Sequence, residues 1–124
     1  MSNVNSFRTK LMSNLFKKTN QSMVNWEVED TSSSDKYPSN PKASYYTDLD
    51  SGIVDLGKWT RKTHGGPRQA FFIRLMKNSG QQIDFFDDYD LPEAEIGRLF
   101  EIVHSQVLGI DTFYIDLIDE LKAD

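Results

Sequence analysis

The clearest chemical feature of the chain is a short basic segment between two apolar stretches. From Lys58 to Arg68 the sequence carries four cations and no acidic side chain, although the whole protein has a net charge of −5. Guanidinium and ammonium groups bind phosphates and carboxylates, and loops held by a rigid scaffold often carry binding residues. We therefore expect a loop over this range, and we treat it as a candidate binding site.

Aromatic and small residues in this basic loop widen the range of ligands. Trp59 could stack on a nucleic-acid base, and Gly65 and Gly66 would let the backbone approach a ligand closely. The loop is not a Walker phosphate loop, because the Gly-x-x-x-x-Gly-Lys-Ser/Thr spacing and the following helix are absent. A solvated connection that only reverses the chain is the alternative interpretation. The candidate binding residues are Trp59, Arg61, Lys62, His64, Arg68 and Arg74.

Arg74 belongs to this set because it interrupts an apolar strand just after the loop. One interpretation is a structural ion pair with a carboxylate such as Asp55 or Asp84. The other is exposure on a functional sheet surface near Trp59. The burial of Trp59 is also open, because a bulge at Gly57 would turn the indole inward and a regular strand would leave it exposed.

An acidic segment from Asp84 to Asp90 is the second candidate for chemistry. Clustered carboxylates can bind Mg²⁺ or Ca²⁺, or share a proton in acid–base catalysis. The calcium-loop pattern requires a central glycine, which this run lacks. A structural role is the alternative, in which Asp90 caps a helix while Asp87 and Asp88 end a strand in water.

No other pattern in the sequence indicates an enzyme. His64 and His104 lack the partner spacing of a metal site, and no Gly-x-Ser-x-Gly motif surrounds a serine. The absence of cysteine excludes disulfides, thiolate metal sites and thiol nucleophiles. We predict no catalytic residue, no metal site and no cofactor.

Length and charge limit the class of protein further. The 124 residues predict one domain, spanning 1–124, with enough chain for a single core. The N-terminus lacks the apolar run of a secretory signal, and no apolar stretch approaches the length needed to cross a bilayer. Net acidity argues against wrapping of duplex nucleic acid by the whole surface. These features predict a cytoplasmic protein without membrane contact.

A sheet and its flanking helices must position the basic and acidic segments. Apolar residues at helical spacing predict a first helix from Asn5 to Thr19, and Asp90-Leu91-Pro92-Glu93 predicts the start of a second. Gly109 ends that helix, and Asp111 can cap a third. Strands are predicted at 24–28, 43–49, 53–59, 69–77 and 81–86, with a flexible Ser/Pro-rich loop at 30–42.

The order of these elements predicts an α+β domain. We expect a five-stranded, mainly antiparallel sheet with the N-terminal helix and the two C-terminal helices packed on one face.

The turn at Asp50-Ser51-Gly52 should place Gly52 at positive φ. The first strand should bury Val24, Trp26 and Val28, and the third helix should carry Tyr114, Leu117, Ile118 and Leu121 on one face. The core should include Phe71, Phe72, Ile73, Leu75, Leu99, Phe100 and Val103.

Three stretches of the chain also resemble a class of small, uncharacterised bacterial and prophage proteins. They are the N-terminal helix leading to Asn25-Trp26, the meander ending in Phe72–Gly80, and the Leu99–His104 helix followed by Ile118–Leu121. The resemblance covers most of the chain. It implies the helix–sheet–helix fold and a bacterial cytoplasmic setting, and it carries no activity.

These features support three hypotheses of function. The first is a non-enzymatic module of the bacterial cytoplasm that engages an unknown protein partner. Homodimerisation, with the basic loop meeting the acidic segment of a second copy, is a variant of it. The second is single-stranded nucleic-acid binding through the basic loop. The third is a metal-dependent hydrolase that uses the acidic segment.

Overall fold

The described part of the chain is residues 4–28 and 44–122 of a computed structural model, and it contains three α-helices and five β-strands. In chain order these are α1 (Val4–Asn20), β1 (Glu27–Val28), β2 (Ser44–Leu49), β3 (Gly52–Thr63), β4 (Gly66–Met76), β5 (Gln82–Asp87), a short 3₁₀ helix (Pro92–Ala94), α2 (Ile96–Leu108) and α3 (Ile110–Lys122). The side chains of residues 110 and 111 are not described. The flexible loop predicted at 30–42 lies outside the described residues.

The five strands form one antiparallel sheet in the order β1-β2-β3-β4-β5. Each strand lies beside its neighbour in sequence, which is the arrangement that short turns favour. The α+β class, the antiparallel sheet, and the order of one helix before it and two after it are confirmed. In the described residues, no helix is both long enough and apolar enough to cross a membrane.

The basic segment from Lys58 to Arg68 is not a loop, and this prediction was wrong. β3 continues to Thr63 and pairs with β4 from Gly66, so that only His64 and Gly65 form the turn. Gly66 has a φ of 101°, which glycine adopts without steric cost. The strands extend because pairing satisfies the backbone hydrogen bonds whatever the charge of the side chains.

The main core lies between the sheet and two helices, α1 and α2. Apolar residues spaced three and four apart turn one face of each helix toward the strands. The helices contribute Met12, Leu15, Ile96, Leu99, Phe100 and Val103, and the strands contribute Tyr45, Val54, Leu56, Ile73 and Phe86. The predicted core is confirmed: Phe72, Ile73, Leu99, Phe100 and Val103 are buried, and Phe71 and Leu75 are partly buried.

The opposite face of the sheet buries an ion pair between its two longest strands. Asp55 on β3 lies directly across from Arg74 on β4, and Arg74 donates from Nη2 and Nε to Asp55 Oδ2 at 2.6 and 2.9 Å. The two residues are only 1% and 5% exposed. Beside them, Phe72 stacks on Phe85 with ring centroids 5.1 Å apart. The interpretation of Arg74 as a structural partner of a carboxylate is confirmed.

Other local predictions were wrong. β1 is shorter than expected, and Val28 is 60% exposed rather than buried. Asp90 does not cap α2, because the chain forms the 3₁₀ helix first and enters α2 through Glu95 at a φ of 53°. Gly52 lies in β3 without a positive φ. A Cβ atom there would lie 2.4 Å from the carbonyl oxygen of Met76, so close approach of the backbones explains this glycine.

α3 packs differently from the expected arrangement. Gly109, with a φ of 63°, ends α2 and connects directly to α3. Within the described residues, the contacts of α3 are chiefly with α2 rather than with the sheet. Its described apolar side chains therefore remain exposed to solvent.

The buried ion pair should make Arg74 one of the residues most sensitive to substitution. Arg74→Met leaves the Asp55 carboxylate buried without its cation, which should lower the free energy of unfolding by about 3–5 kcal/mol. Urea denaturation of the matched variant Arg68→Met, an exposed position on the same strand, should give a change near zero. Equal losses for the two variants would contradict the structural role of the pair.

Candidate functional site

The structure distributes the predicted binding residues along the β3–β4 hairpin. Strand alternation places four of them, Trp59, Arg61, Arg68 and Arg74, on the sheet face away from α1 and α2, and Arg68 lies directly across from Arg61. Trp59 and Arg61 are half-buried and Arg68 is exposed. Arg74 is buried in its ion pair, some distance along the strand from the hairpin turn. The hairpin therefore does not present these four residues as one exposed cluster.

The remaining two predicted residues lie near the hairpin turn. Lys62 is exposed and falls on the alternate side of β3, and His64 is exposed in the turn itself. Together with Arg68 they form the cationic tip of the hairpin, which is accessible to a ligand. We call Lys62, His64 and Arg68 the hairpin tip.

Arg61 connects the basic segment to the acidic segment within one chain. Its Nη1 atom lies 2.8 Å from both carboxylate oxygens of Asp87 and 3.7 Å from Asp90 Oδ1. Its guanidinium also lies over the ring of Tyr89, 5.1 Å from the centroid. The hydrogen bond to Asp87 raises the pKa of Arg61 above its ordinary value. The dimer hypothesis paired the basic segment of one copy with the acidic segment of a second copy. Arg61 and Asp87 instead make this pairing within a single chain.

Asp87 is the centre of this contact. Its side chain is fully buried, and Oδ1 also accepts hydrogen bonds from the backbone amides of Tyr89 and Asp90 at 3.0 and 3.1 Å. Asp90 in turn accepts a hydrogen bond from the Asp87 amide at 3.1 Å. The acidic turn after β5 is therefore built by its own carboxylates.

Trp59 forms one wall of an open pocket on this face. The indole packs edge-on against Phe85, with ring centroids 5.4 Å apart and planes at 88°. Its Nε1 atom is buried and has no hydrogen-bond partner in the described part of the chain. The pocket is lined by Trp59, Thr60, Arg61, Lys62, Phe85, Asp87 and Asp90. It offers an aromatic wall beside the Arg61–Asp87 ion pair, in which the charges are already balanced.

The other acidic residues are also engaged in structural contacts. Arg8 of α1 binds Asp84 in a bidentate manner, from Nε to Oδ2 at 2.8 Å and from Nη2 to Oδ1 at 2.7 Å. This hydrogen bonding lowers the pKa of Asp84. Asp88 accepts a hydrogen bond from the Phe71 amide at 3.2 Å, while burial raises its pKa. The described residues contain no group of three or more His, Asp or Glu that could hold a metal ion.

His104, expected at the edge of the buried stripe of α2, lies at the boundary of the core. It is half-buried, stacks on Phe100 and shares a short hydrogen bond with the hydroxyl of Tyr45 through Nδ1. Burial raises the pKa of Tyr45. The contact ties β2 to α2.

An extensive exposed apolar surface lies on α3, and sequence reasoning predicted its residues but not their exposure. One stripe of the helix carries Phe113, Tyr114, Leu117, Ile118 and Leu121. These side chains are between 38% and 84% exposed, and Ile115, which adjoins Ile118 on the helix surface, is 58% exposed. The periodicity of the stripe is visible in the sequence, but it predicts only that another surface packs against the helix. In the structure, no described part of this chain covers the stripe.

The hairpin tip, the Trp59 pocket and the α3 stripe are thus each accessible to a ligand on the described surface. Comparisons of the chain with protein-family models, with curated proteins and with solved structures give no match.

The Arg8–Asp84 contact should make stability depend on pH in a defined direction. A lowered pKa in the folded state stabilises the protein above the unfolded pKa of Asp84, near 3.8, and this contribution is lost as the pH falls through the folded value. Arg8→Met should therefore cost about 1–2 kcal/mol at pH 7, and the difference from wild type should shrink below pH 3.8.

Urea denaturation across this pH range measures the effect. Lys10→Met is the matched control, because Lys10 is an exposed cation on the same helix. It should leave the pH dependence unchanged. A pH-independent cost for Arg8→Met would contradict the assignment.

Proposed function

We propose that this protein is a non-enzymatic protein-interaction module of the bacterial cytoplasm and that α3 is its docking element. The observation that carries the proposal is the exposed apolar stripe of α3. Each large apolar side chain that leaves water on binding contributes about 1.5–3 kcal/mol. Contiguous apolar surface of this kind marks interaction sites more often than solvated faces. The bacterial cytoplasmic setting rests on the resemblance and on the absence of cysteine.

The charge of α3 favours a partner with a basic groove. Asp116, Asp119 and Glu120 occupy the helix outside the apolar stripe. An amphipathic helix of this type docks by laying its apolar stripe into a groove, and the charges beside it select the partner and orient the approach. The complementary surface is therefore apolar at its centre and cationic at its rim.

Single-stranded nucleic-acid binding is the alternative, and the hairpin gives it less support. Arg61 and Arg74 are already paired with carboxylates, and Trp59 is half-buried against Phe85. The exposed hairpin tip still offers Lys62 and Arg68 to a phosphate.

Two substitutions on α3 test the leading proposal. Ile118→Glu places a charge in the apolar stripe, and Thr112→Glu adds the same charge on the opposite side of the helix, at a residue that is also exposed. Affinity capture from a bacterial lysate should recover a protein with the wild type and with Thr112→Glu, and should lose it with Ile118→Glu. Melting temperatures of all three should agree, because both positions are exposed. Equal capture by the two variants would contradict docking through the stripe.

An oligonucleotide titration tests the alternative. If the hairpin binds single strands, a mixed-sequence oligonucleotide should quench tryptophan fluorescence at low salt, and Lys62→Glu/Arg68→Glu should abolish the change. Lys10→Glu, an exposed cation on α1, is the control for a general charge effect. An unchanged spectrum with the wild type at low salt would remove this hypothesis.

A further inference from the structure

A second apolar surface runs along α1, near the end of the sheet that carries the β2–β3 and β4–β5 turns. Two adjoining hollows share Leu11 and form one groove. Phe7 and Ile83 line the first hollow, and Met23 and Leu49 line the second. These four residues are 69%, 53%, 65% and 41% exposed, so the groove is unfilled by the described chain.

One end of this groove is cationic. The helix carries Arg8, Lys10, Lys17 and Lys18 and no acidic residue. Lys18 lines the second hollow, and its neighbour Lys17 is exposed. Arg8 lines the first hollow but is paired with Asp84, so the charge that the groove offers to a ligand lies at its Lys18 end.

This is the surface that α3 requires. In α3 the acids outnumber the bases, with Asp116 and Glu120 flanking the apolar stripe on the Phe113 side. The lengths also agree: 13 helical residues span about 20 Å, and the groove follows α1 from Val4 to Lys18, about 21 Å. Length, polarity and charge are therefore complementary between two surfaces of the same chain.

We propose that the groove along α1 receives α3 of a second copy of this protein. Each copy seats its α3 in the groove of the other, so the contact is reciprocal and closes under two-fold symmetry without leaving an open end. This inference rests on the proposed function and names the partner of the same α3 stripe. The helix of the same chain does not fill the groove, because α3 follows α2 after a single residue and both surfaces remain exposed.

The oligomeric state tests this contact directly. Sedimentation velocity of the wild type should show a dimer that dissociates on dilution. Phe7→Glu in the groove and Ile118→Glu on the stripe should each raise the dissociation constant more than about tenfold, while Thr112→Glu, on the opposite side of α3, should leave it unchanged. A wild type that is monomeric at every concentration overturns the inference.

The charges supply a second test. Lys17→Glu/Lys18→Glu should weaken the dimer, and adding Asp116→Lys/Glu120→Lys to the same chain should restore it, because each copy contributes both surfaces. Failure of the second pair to rescue the first overturns the inferred pairing of the helices.

Engineered cysteines locate the contact, since the chain has none of its own. When Phe7→Cys and Ile118→Cys proteins are mixed and oxidised, the disulfide between the two variants should predominate. Predominance of Ile118→Cys homodimers would indicate α3 packing on α3 and overturn the inference. An intramolecular disulfide in the monomeric double variant Phe7→Cys/Ile118→Cys would overturn it in favour of closure within one chain.

These results separate the inference from the function on which it rests. A monomeric wild type that still captures a different protein through Ile118 overturns the second-copy assignment and leaves the interaction module standing. A monomer that captures nothing overturns both. A dimer that depends on Phe7 and Ile118 supports both.

Discussion

The register between β3 and β4 is the constraint on which the rest of the structure depends. It places Leu56 beside Ile73 under the helices and Asp55 beside Arg74 on the other face. A slip of one residue would turn every side chain of one strand to the wrong face. It would leave both charges of the ion pair buried without a partner, which costs more free energy than most single contacts contribute. The pair therefore discriminates strongly against other registers.

The β5 strand and the turn that follows it neutralise cations supplied by other elements. Asp84 binds Arg8 from α1, and Asp87 binds Arg61 from β3. Both contacts join elements that are distant in sequence. In the sequence the cations and the carboxylates lie in separate segments, whereas in the fold they form ion pairs. The contrast between a basic and an acidic segment thus has a structural origin in large part, and of the four cations in the basic segment only Lys62 and Arg68, at the hairpin tip, are exposed to a ligand.

α1 and α3 differ in how fully their apolar residues are used. α1 turns Met12 and Leu15 into the core and leaves Phe7 at the edge of a groove, whereas α3 has no described side chain in the core. Leaving several large apolar groups in water is unfavourable for an isolated domain. Opposite charge and similar length on these two helices are the physical basis for assigning them to each other across a dimer.

The sequence by itself determined the local features: the presence of the helices, the antiparallel strands around Phe71–Phe86 and the apolar residues of α2 that enter the core. These follow from short-range periodicity, which is written in the residue types. For Arg74 the sequence left two environments, an ion pair or an exposed sheet surface. Only the tertiary structure decided between them, paired the two halves of Lys58–Arg68 as strands around a two-residue turn, brought Arg61 to Asp87 and left the α3 stripe uncovered by the described residues. Backbone pairing, contacts between distant segments and the absence of a packing partner depend on where whole elements lie, and local patterns of polarity do not carry that information.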